Sequence, residues 1–223
     1  MKTTNKILSL LLICTLSIAT LSCKTSNAVK GGAIGGAAGG VIGGLLSKNN
    51  TATGIIVGSA IGGSAGAIIG NEMDKQAEEL KRDLKGAKVE RVGEGIKITF
   101  DSGILFGVDE ATLNVASQTN LTNLATTLKK YEDTNILIEG HTDDTGAAEY
   151  NQTLSEQRAS TVADFLSDAG VDNKRLSSQA FGEEMPAVPN TSAEARAQNR
   201  RVEVAIYANK KMQKMAEKGE LGG

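Results

Sequence analysis

Tryptophan is absent from the 223 residues and aromatic side chains make up only 3% of them, so any core must be built from aliphatic groups. There is a single histidine and only two cysteines. A zinc or iron site asks for three or four protein ligands, and this inventory does not supply them in any recognisable spacing. A calcium loop would need a longer ladder of oxygen donors than the short "DDTG" offers. Excess positive charge is missing too: 24 bases stand against 26 acids, with a net charge of -2 and a pI near 5.6. The charges are interspersed, so there is no basic footprint for nucleic acid. Between Gly31 and Gly70 no Asp or Glu occurs, which removes any titratable group for ion translocation through that stretch. No serine or cysteine stands in a nucleophile elbow. No cofactor is expected.

What is present begins with an export signal. Lys2 and Lys6 precede the apolar run "ILSLLLICTLSIATL", and Ser22 then leads to Cys23. This layout resembles a lipobox, in which the cysteine is the site of cleavage and acylation. It departs from the common pattern at Thr20, where Leu or Val is usual; the leucine comes one place later, as Leu21. Residues 1–22 are expected to leave, and Cys14 with them. The mature chain then holds one cysteine and no internal disulfide. Loss of Lys2 and Lys6 leaves 22 bases against 26 acids, a charge of -4.

Of the 26 glycines, 14 lie between Gly31 and Gly70 in two blocks separated by "SKNNTAT". In the first, Gly31, Gly35, Gly39 and Gly43 recur every four residues; in the second, Gly54, Gly58, Gly62, Gly66 and Gly70 repeat the spacing. Such glycines fall on one helical stripe, where two backbones can approach closely. In water each interior glycine costs a helix about 1 kcal/mol relative to alanine, which favours a lipid setting. The uncharged runs of 17 and 23 residues would reach about 26 and 35 Å as helices, against about 30 Å of hydrocarbon. Residues 31–70 are therefore expected to form a membrane-associated helical hairpin of the glycine-zipper kind. A flexible Gly/Ala spacer is the plainer alternative.

From Asn71 the pattern is that of a solvated linker helix, with Met73, Ala77, Leu80 and Leu84 at helical spacing among alternating charges. "VERV" and "IKITF" around Gly93-Glu94-Gly95 form a lead-in hairpin, so residues 71–94 are assigned to linker helix and hairpin. Helical spacing returns at Leu113, Leu121, Leu124 and Leu128. "NILIEGHT" is a strand, 148–168 a helix stopped by Gly170, "LSSQAFG" and "RRVEVAIY" two further strands, and 192–199 a short helix. Alternation of this kind indicates an α/β sandwich, a mixed sheet of about four strands with helices on it. Residues 208–223 are expected to be a flexible tail.

The segment "GHTDDTGAAEYNQTLSEQRA" concentrates the chemistry. Asp143 and Asp144 could be paired acids with His141 as proton shuttle, but adjacent residues in extended chain point apart and their carboxylates would not converge. Taken alone, "DDTG" is a turn that leads into a helix with Arg158 on a solvated face. Asp143 and Arg158 could equally flank a cleft beyond one strand end, a place that suits a zwitterion: a carboxylate takes an ammonium, and a guanidinium clamps a carboxylate through two parallel hydrogen bonds.

"ILIEGHTDDTGAAEYNQTLSEQRASTVADFL", "LSSQAFGEEMPAVPN" and "AQNRRVEVAI" resemble the C-terminal domain of OmpA-like peptidoglycan-binding proteins, over residues 95–207. The motif is TD, a short loop, N, LS and RA at fixed distances, with NRRVE at the end. Joined to a lipobox and a glycine zipper, it is similar to outer-membrane lipoproteins of that family. The resemblance implies a non-enzymatic domain that holds the peptide stem of the cell wall at the zwitterionic end of diaminopimelate. By position, Asp143 would take the ammonium and Arg158 the carboxylate; Thr142, Asp144, Thr145 and Asn151 would line the loop, and Arg200 or Arg201 its rim. Asp144 departs from many relatives, which carry a neutral or basic residue there. The expected protein is an envelope-to-wall tether: lipid on Cys23, a short segment 23–30, the zipper in a bilayer, the wall domain in the periplasm. The alternative is an oligomeric scaffold or pore formed by the glycine zipper.

Overall fold

The computed structural model describes residues 51–221. The export signal, Cys23 and the first glycine block lie outside the described residues. In chain order the elements are α1 (Thr51–Gly58), α2 (Gly63–Asp83), β1 (Lys88–Val92), β2 (Gly95–Asp101), the single turn α3 (Ser102–Leu105), α4 (Val115–Lys130), β3 (Thr134–His141), α5 (Ala148–Asp168), β4 (Leu176–Ala180), α6 (Ala193–Asn199), β5 (Arg201–Ala208) and α7 (Lys210–Lys218). The strands form one mixed sheet in the order β1-β2-β5-β3-β4, antiparallel except for the β3/β4 pair that α5 connects. This is the sandwich expected from the alternation, with five strands instead of about four because β1 of the lead-in hairpin is its edge.

Strand periodicity of two sorts the side chains. Ile136 and Ile138 of β3, Val202 and Val204 of β5, and Ile98 and Phe100 of β2 turn to one face and are wholly buried in the main core with residues of α2, α4 and α5. Arg175 ties this layer at one end. Its guanidinium donates to the carbonyls of Leu128 (2.8 Å), Tyr131 (3.0 Å) and Thr134 (2.8 Å), so a cation closes the C-terminus of α4 where the helix leaves carbonyls unpaired.

The second glycine block does not behave as the arm of a membrane hairpin. α2 runs unbroken across the boundary placed at residue 70, and Ile69, Met73, Ala77 and Leu80 on its inner stripe are core residues, so 71–83 is not a solvated linker either. α1 lies on the other face of the sheet, with Ala52 and Ile56 packed against Leu137 and Ala205. Among the described residues no helix is long and apolar enough to cross a membrane. Gly66 of this block, and Gly95 beyond it, have another cause. Glu94, in the β1–β2 turn, accepts from the N–H groups of Ile61 (2.9 Å) and Gly62 (2.8 Å), placing a carboxylate at the amino end of α2. A Cβ on Gly66 would overlap that carboxylate, and one on Gly95 would sit 2.5 Å from Ile56 Cγ2 and 2.6 Å from the Ile206 carbonyl oxygen. The missing side chains admit a carboxylate and a neighbouring helix of the same domain. The tail also differs from expectation. Asn209 Oδ1 accepts from Lys211 and Met212 N–H, both at 2.9 Å, and starts α7, which buries Met212 and Ala216, one turn apart.

The face beneath α1 carries charge. Glu139 of β3 stands opposite Glu203 of β5, and His141 opposite Arg201. Arg201 Nε donates to Glu203 Oε1 at 2.7 Å, Lys97 Nζ lies 3.6 Å from Glu203 Oε2, and Glu139 Oε2 accepts from the Ala52 N–H at 3.0 Å. Burial first, and then the charge of Glu203, push the Glu139 carboxyl up to about 7; burial, then Arg201 and Lys97, push His141 down to about 3.

These shifts act oppositely on stability. The folded chain keeps a proton on Glu139 at pH values where the unfolded chain has released it, so that contribution falls as pH rises from about 4.5 to about 7. Folded His141 stays neutral where an unfolded imidazole is protonated, so its contribution rises from about pH 3 to about 6.5. Between pH 4.5 and 6.5 the two offset each other. Glu139→Gln removes one of them, and the free energy of urea unfolding should then climb with pH across that window by up to about 1.4 kcal/mol per pH unit relative to the parent. A variant profile parallel to the parent's would contradict this assignment.

Candidate functional site

The site starts from a side chain that is absent. At Gly140, the second-last residue of β3, a Cβ would overlap the Ser155 carbonyl of α5, so helix and strand end meet backbone to backbone. Ser155 Oγ accepts from Gly182 N–H at 2.9 Å, Thr142 N–H donates to the Gly182 carbonyl at 2.8 Å, and Phe181 N–H to the Gly140 carbonyl at 3.1 Å. The loops after β3 and β4 are thereby tied to each other and to α5. Asn151, Ser155 and Arg158 follow at steps of four and three on one stripe of α5, and all three are buried. Asn151 Nδ2 donates to the carbonyls of Asp143 (3.2 Å) and Thr145 (3.1 Å) and to Glu183 Oε2 (2.7 Å). Asp143 Oδ1 in turn accepts from Thr145 N–H at 2.9 Å, an Asx turn that fixes the loop.

These groups line a cavity of about 740 Å³ that includes Thr142, Asp143, Thr145, Asn151, Arg158 and Arg200. Asp143 is 5% exposed and Arg158 3%. Burial raises the Asp143 carboxyl, but the Thr145 N–H and the Arg200 guanidinium outweigh it, and the group sits below the usual carboxylate range. Arg200 forms an ion pair with Asp143 Oδ2 from a half-exposed side chain. Arg158 is held differently: its Nε donates to the Glu110 carbonyl at 2.9 Å and its guanidinium stands 5.3 Å from the centre of the Phe106 ring. Burial loosens its hold on its proton, and Asp109 restores part of that hold. Among the described residues no ion pair involves Arg158. Its direct contacts there are a carbonyl and a ring face, and Asp109 acts on its charge from a distance.

Of the residues expected at the site, Thr142, Asp143, Thr145, Asn151, Arg158 and Arg200 share the cavity. Asp144 is exposed and does not line it. Arg201 belongs to the opposite face, where it holds Glu203 and donates to the carbonyls of Asn199 (3.3 Å) and Met185 (3.1 Å). Consecutive residues entering a strand point to opposite sides, so of the two arginines only the first can reach the cavity. His141 also faces away, stacked on Phe181 at 5.3 Å. Sequence reasoning missed the wall made by Phe106, Val108 and Asp109 in the loop between α3 and α4. That loop turns on Asp109 at φ 56°, a left-handed conformation that a non-glycine residue does not announce in sequence.

The model of the OmpA family matches residues 105–200, and that of the YMGG-like Gly-zipper residues 1–74. The Escherichia coli (strain K12) lipoprotein-named protein YiaD is 38% identical over 162 residues, covering 72% of this chain and 74% of its own. This chain belongs to the OmpA family. The peptidoglycan-associated lipoprotein of Legionella pneumophila is 38% identical over 48% of this chain and 60% of its own. Among solved structures, the cell wall anchor of the T6SS from Pseudomonas aeruginosa superposes with a TM-score of 0.54 at 30% identity, covering 61% of this chain and 97% of that one. The OmpA-family match spans α4 to α6 and so contains Asp143 and Arg158 together with the loops that place them.

Gly140→Ala should cost about 1–3 kcal/mol in chemical denaturation, since the added methyl meets backbone that cannot turn aside. Gly103→Ala, where nothing lies within 4 Å of the new methyl, should stay within about 0.5 kcal/mol of the parent. Equal stability of the two variants would contradict the close approach of β3 and α5.

Proposed function

We propose that this chain binds peptidoglycan without covalent chemistry, by holding the doubly charged end of diaminopimelate in the stem peptide, and that it tethers the outer membrane to the wall. The observation that carries the proposal is the pairing of groups in one cavity: a buried guanidinium with no carboxylate partner among the described residues, and a buried carboxylate kept ionised by its surroundings. Arg158 suits the ligand carboxylate and Asp143 its ammonium. Thr142 and Thr145 belong to the loop between them, and Asn151 of α5 holds that loop. Kinship with proteins named for peptidoglycan association and wall anchoring supports the same reading. The role is non-enzymatic: the site offers charge complementarity and no activated nucleophile.

Attachment to the membrane rests on the sequence alone, through acylation of Cys23. Because α1 belongs to the wall-binding domain, the segment left to bridge lipid and domain is residues 24–50. That stretch of 27 residues can span at most about 90 Å when fully extended. Many copies on one membrane would raise the avidity of a modest single site.

Asp143→Ala and Arg158→Ala should each lower affinity for purified cell wall by about 2–5 kcal/mol, since the ligand's opposite charge would be left desolvated and unpaired. Sedimentation with peptidoglycan reads the effect. Retention equal to that of the parent chain in both variants would reject the site.

A further inference from the structure

We infer that Arg200 is a displaceable stand-in for the ligand's ammonium group, and that it makes the site selective against ligands that carry positive charge alone. The inference rests on the proposed zwitterion site and concerns how that site discriminates. The two subsites differ in the free protein. Asp143 already has a cation, because Arg200 occupies Oδ2 while the Thr145 N–H occupies Oδ1. Arg158 forms no ion pair among the described residues; Asp109 and, more weakly, Asp143 act on it only through space.

The two arginines are also anchored differently. Arg158 is buried, and it is pinned by the Glu110 carbonyl and the Phe106 ring. Arg200 is held by its backbone: its N–H donates to the Arg196 carbonyl at 3.1 Å and its carbonyl accepts from Ser102 N–H at 2.9 Å. Its side chain is 45% exposed, and its one ion pair among the described residues is with Asp143. The head group can therefore leave for water while the chain around it stays in place. Two like charges share the cavity, and the charge of Arg200 lowers the proton affinity of Arg158. Asp101 and Asp109, both exposed, also line the cavity wall.

The consequence depends on ligand charge. A ligand with carboxylate alone meets Arg158 and leaves the Arg200–Asp143 pair intact. One with ammonium alone must expel Arg200, gains only the pair it has broken, and faces Arg158 unshielded. A zwitterion also expels Arg200, but its carboxylate satisfies Arg158, so the exchange of one cation for another at Asp143 is offset.

Three probes that share one skeleton separate these cases: meso-diaminopimelate, pimelate, which lacks both amines, and 1,5-diaminopentane, which lacks both carboxylates and keeps the amine spacing. Calorimetry with the full chain should show Arg200→Gln tightening 1,5-diaminopentane by about three- to tenfold, the worth of one partly exposed ion pair. Diaminopimelate should tighten by a similar or smaller factor and pimelate should not tighten. Arg200→Lys should keep the parent's preference, because the cation is retained. Thermal unfolding of both variants checks that the fold persists. If Arg200→Gln instead weakens diaminopimelate as much as Asp143→Ala does, or leaves all three probes unchanged, the stand-in role is overturned while the site stands. If Asp143→Ala and Arg158→Ala leave diaminopimelate binding intact, the site itself is wrong and the inference falls with it.

Discussion

The contact between β3 and α5 at Gly140 is the constraint on which the site depends. Because no side chain separates the strand end from the Ser155 carbonyl, the helix comes close enough for its polar stripe to reach the loops after β3 and β4 and the loop between α3 and α4. Asn151 then collects the carbonyls of Asp143 and Thr145, Ser155 holds the Gly182 N–H, and Arg158 enters a cavity whose other wall is Asp143. A larger residue at position 140 would lift the whole stripe at once. The charge arrangement thus follows from packing, and neither member of the pair could be placed by its own strand or helix alone.

The sheet is used on both faces, in opposite ways. One face is aliphatic and closes the main core. The other carries Lys97, Glu139, His141, Arg201 and Glu203 and is partly covered by α1, whose first turn is held by the Glu139 carboxyl group. A buried carboxylate also holds the start of α2, through Glu94. Two acids of the sheet region therefore fix the N-terminal helices at their positive ends, where backbone N–H groups have no intrahelical partner. This couples the second glycine block to the domain that carries the site.

The relation between pattern and outcome differs from element to element. Helix 148–168 is α5 to the residue, and "NILIEGHT" is β3 displaced by one residue toward the N-terminus, because long segments with clear periodicity pack as their period demands. Residues 54–70 went elsewhere than expected: a four-residue glycine repeat reports a close approach but does not name the approaching group, and here that group is Glu94 for Gly66. α7 was hidden by its charge, since two small buried contacts, Met212 and Ala216, suffice to dock a short capped helix. Thr142, Asp143, Asn151 and Arg158 were legible as a spaced motif, whereas Phe106, Val108 and Asp109 lie in a loop with no periodicity to mark it.

The sequence by itself determined the alternation of strands and helices, the aliphatic core, and the pairing of an acid and a base across one loop and the next helix, because each is written in local spacing. Tertiary structure decided which side each charge faces. Arg200 and Arg201 are neighbours in the chain, yet one closes the cavity on Asp143 and the other is locked against Glu203 on the far side of the sheet. That choice is made by where the pleat of β5 begins, which only its pairing with β2 and β3 establishes.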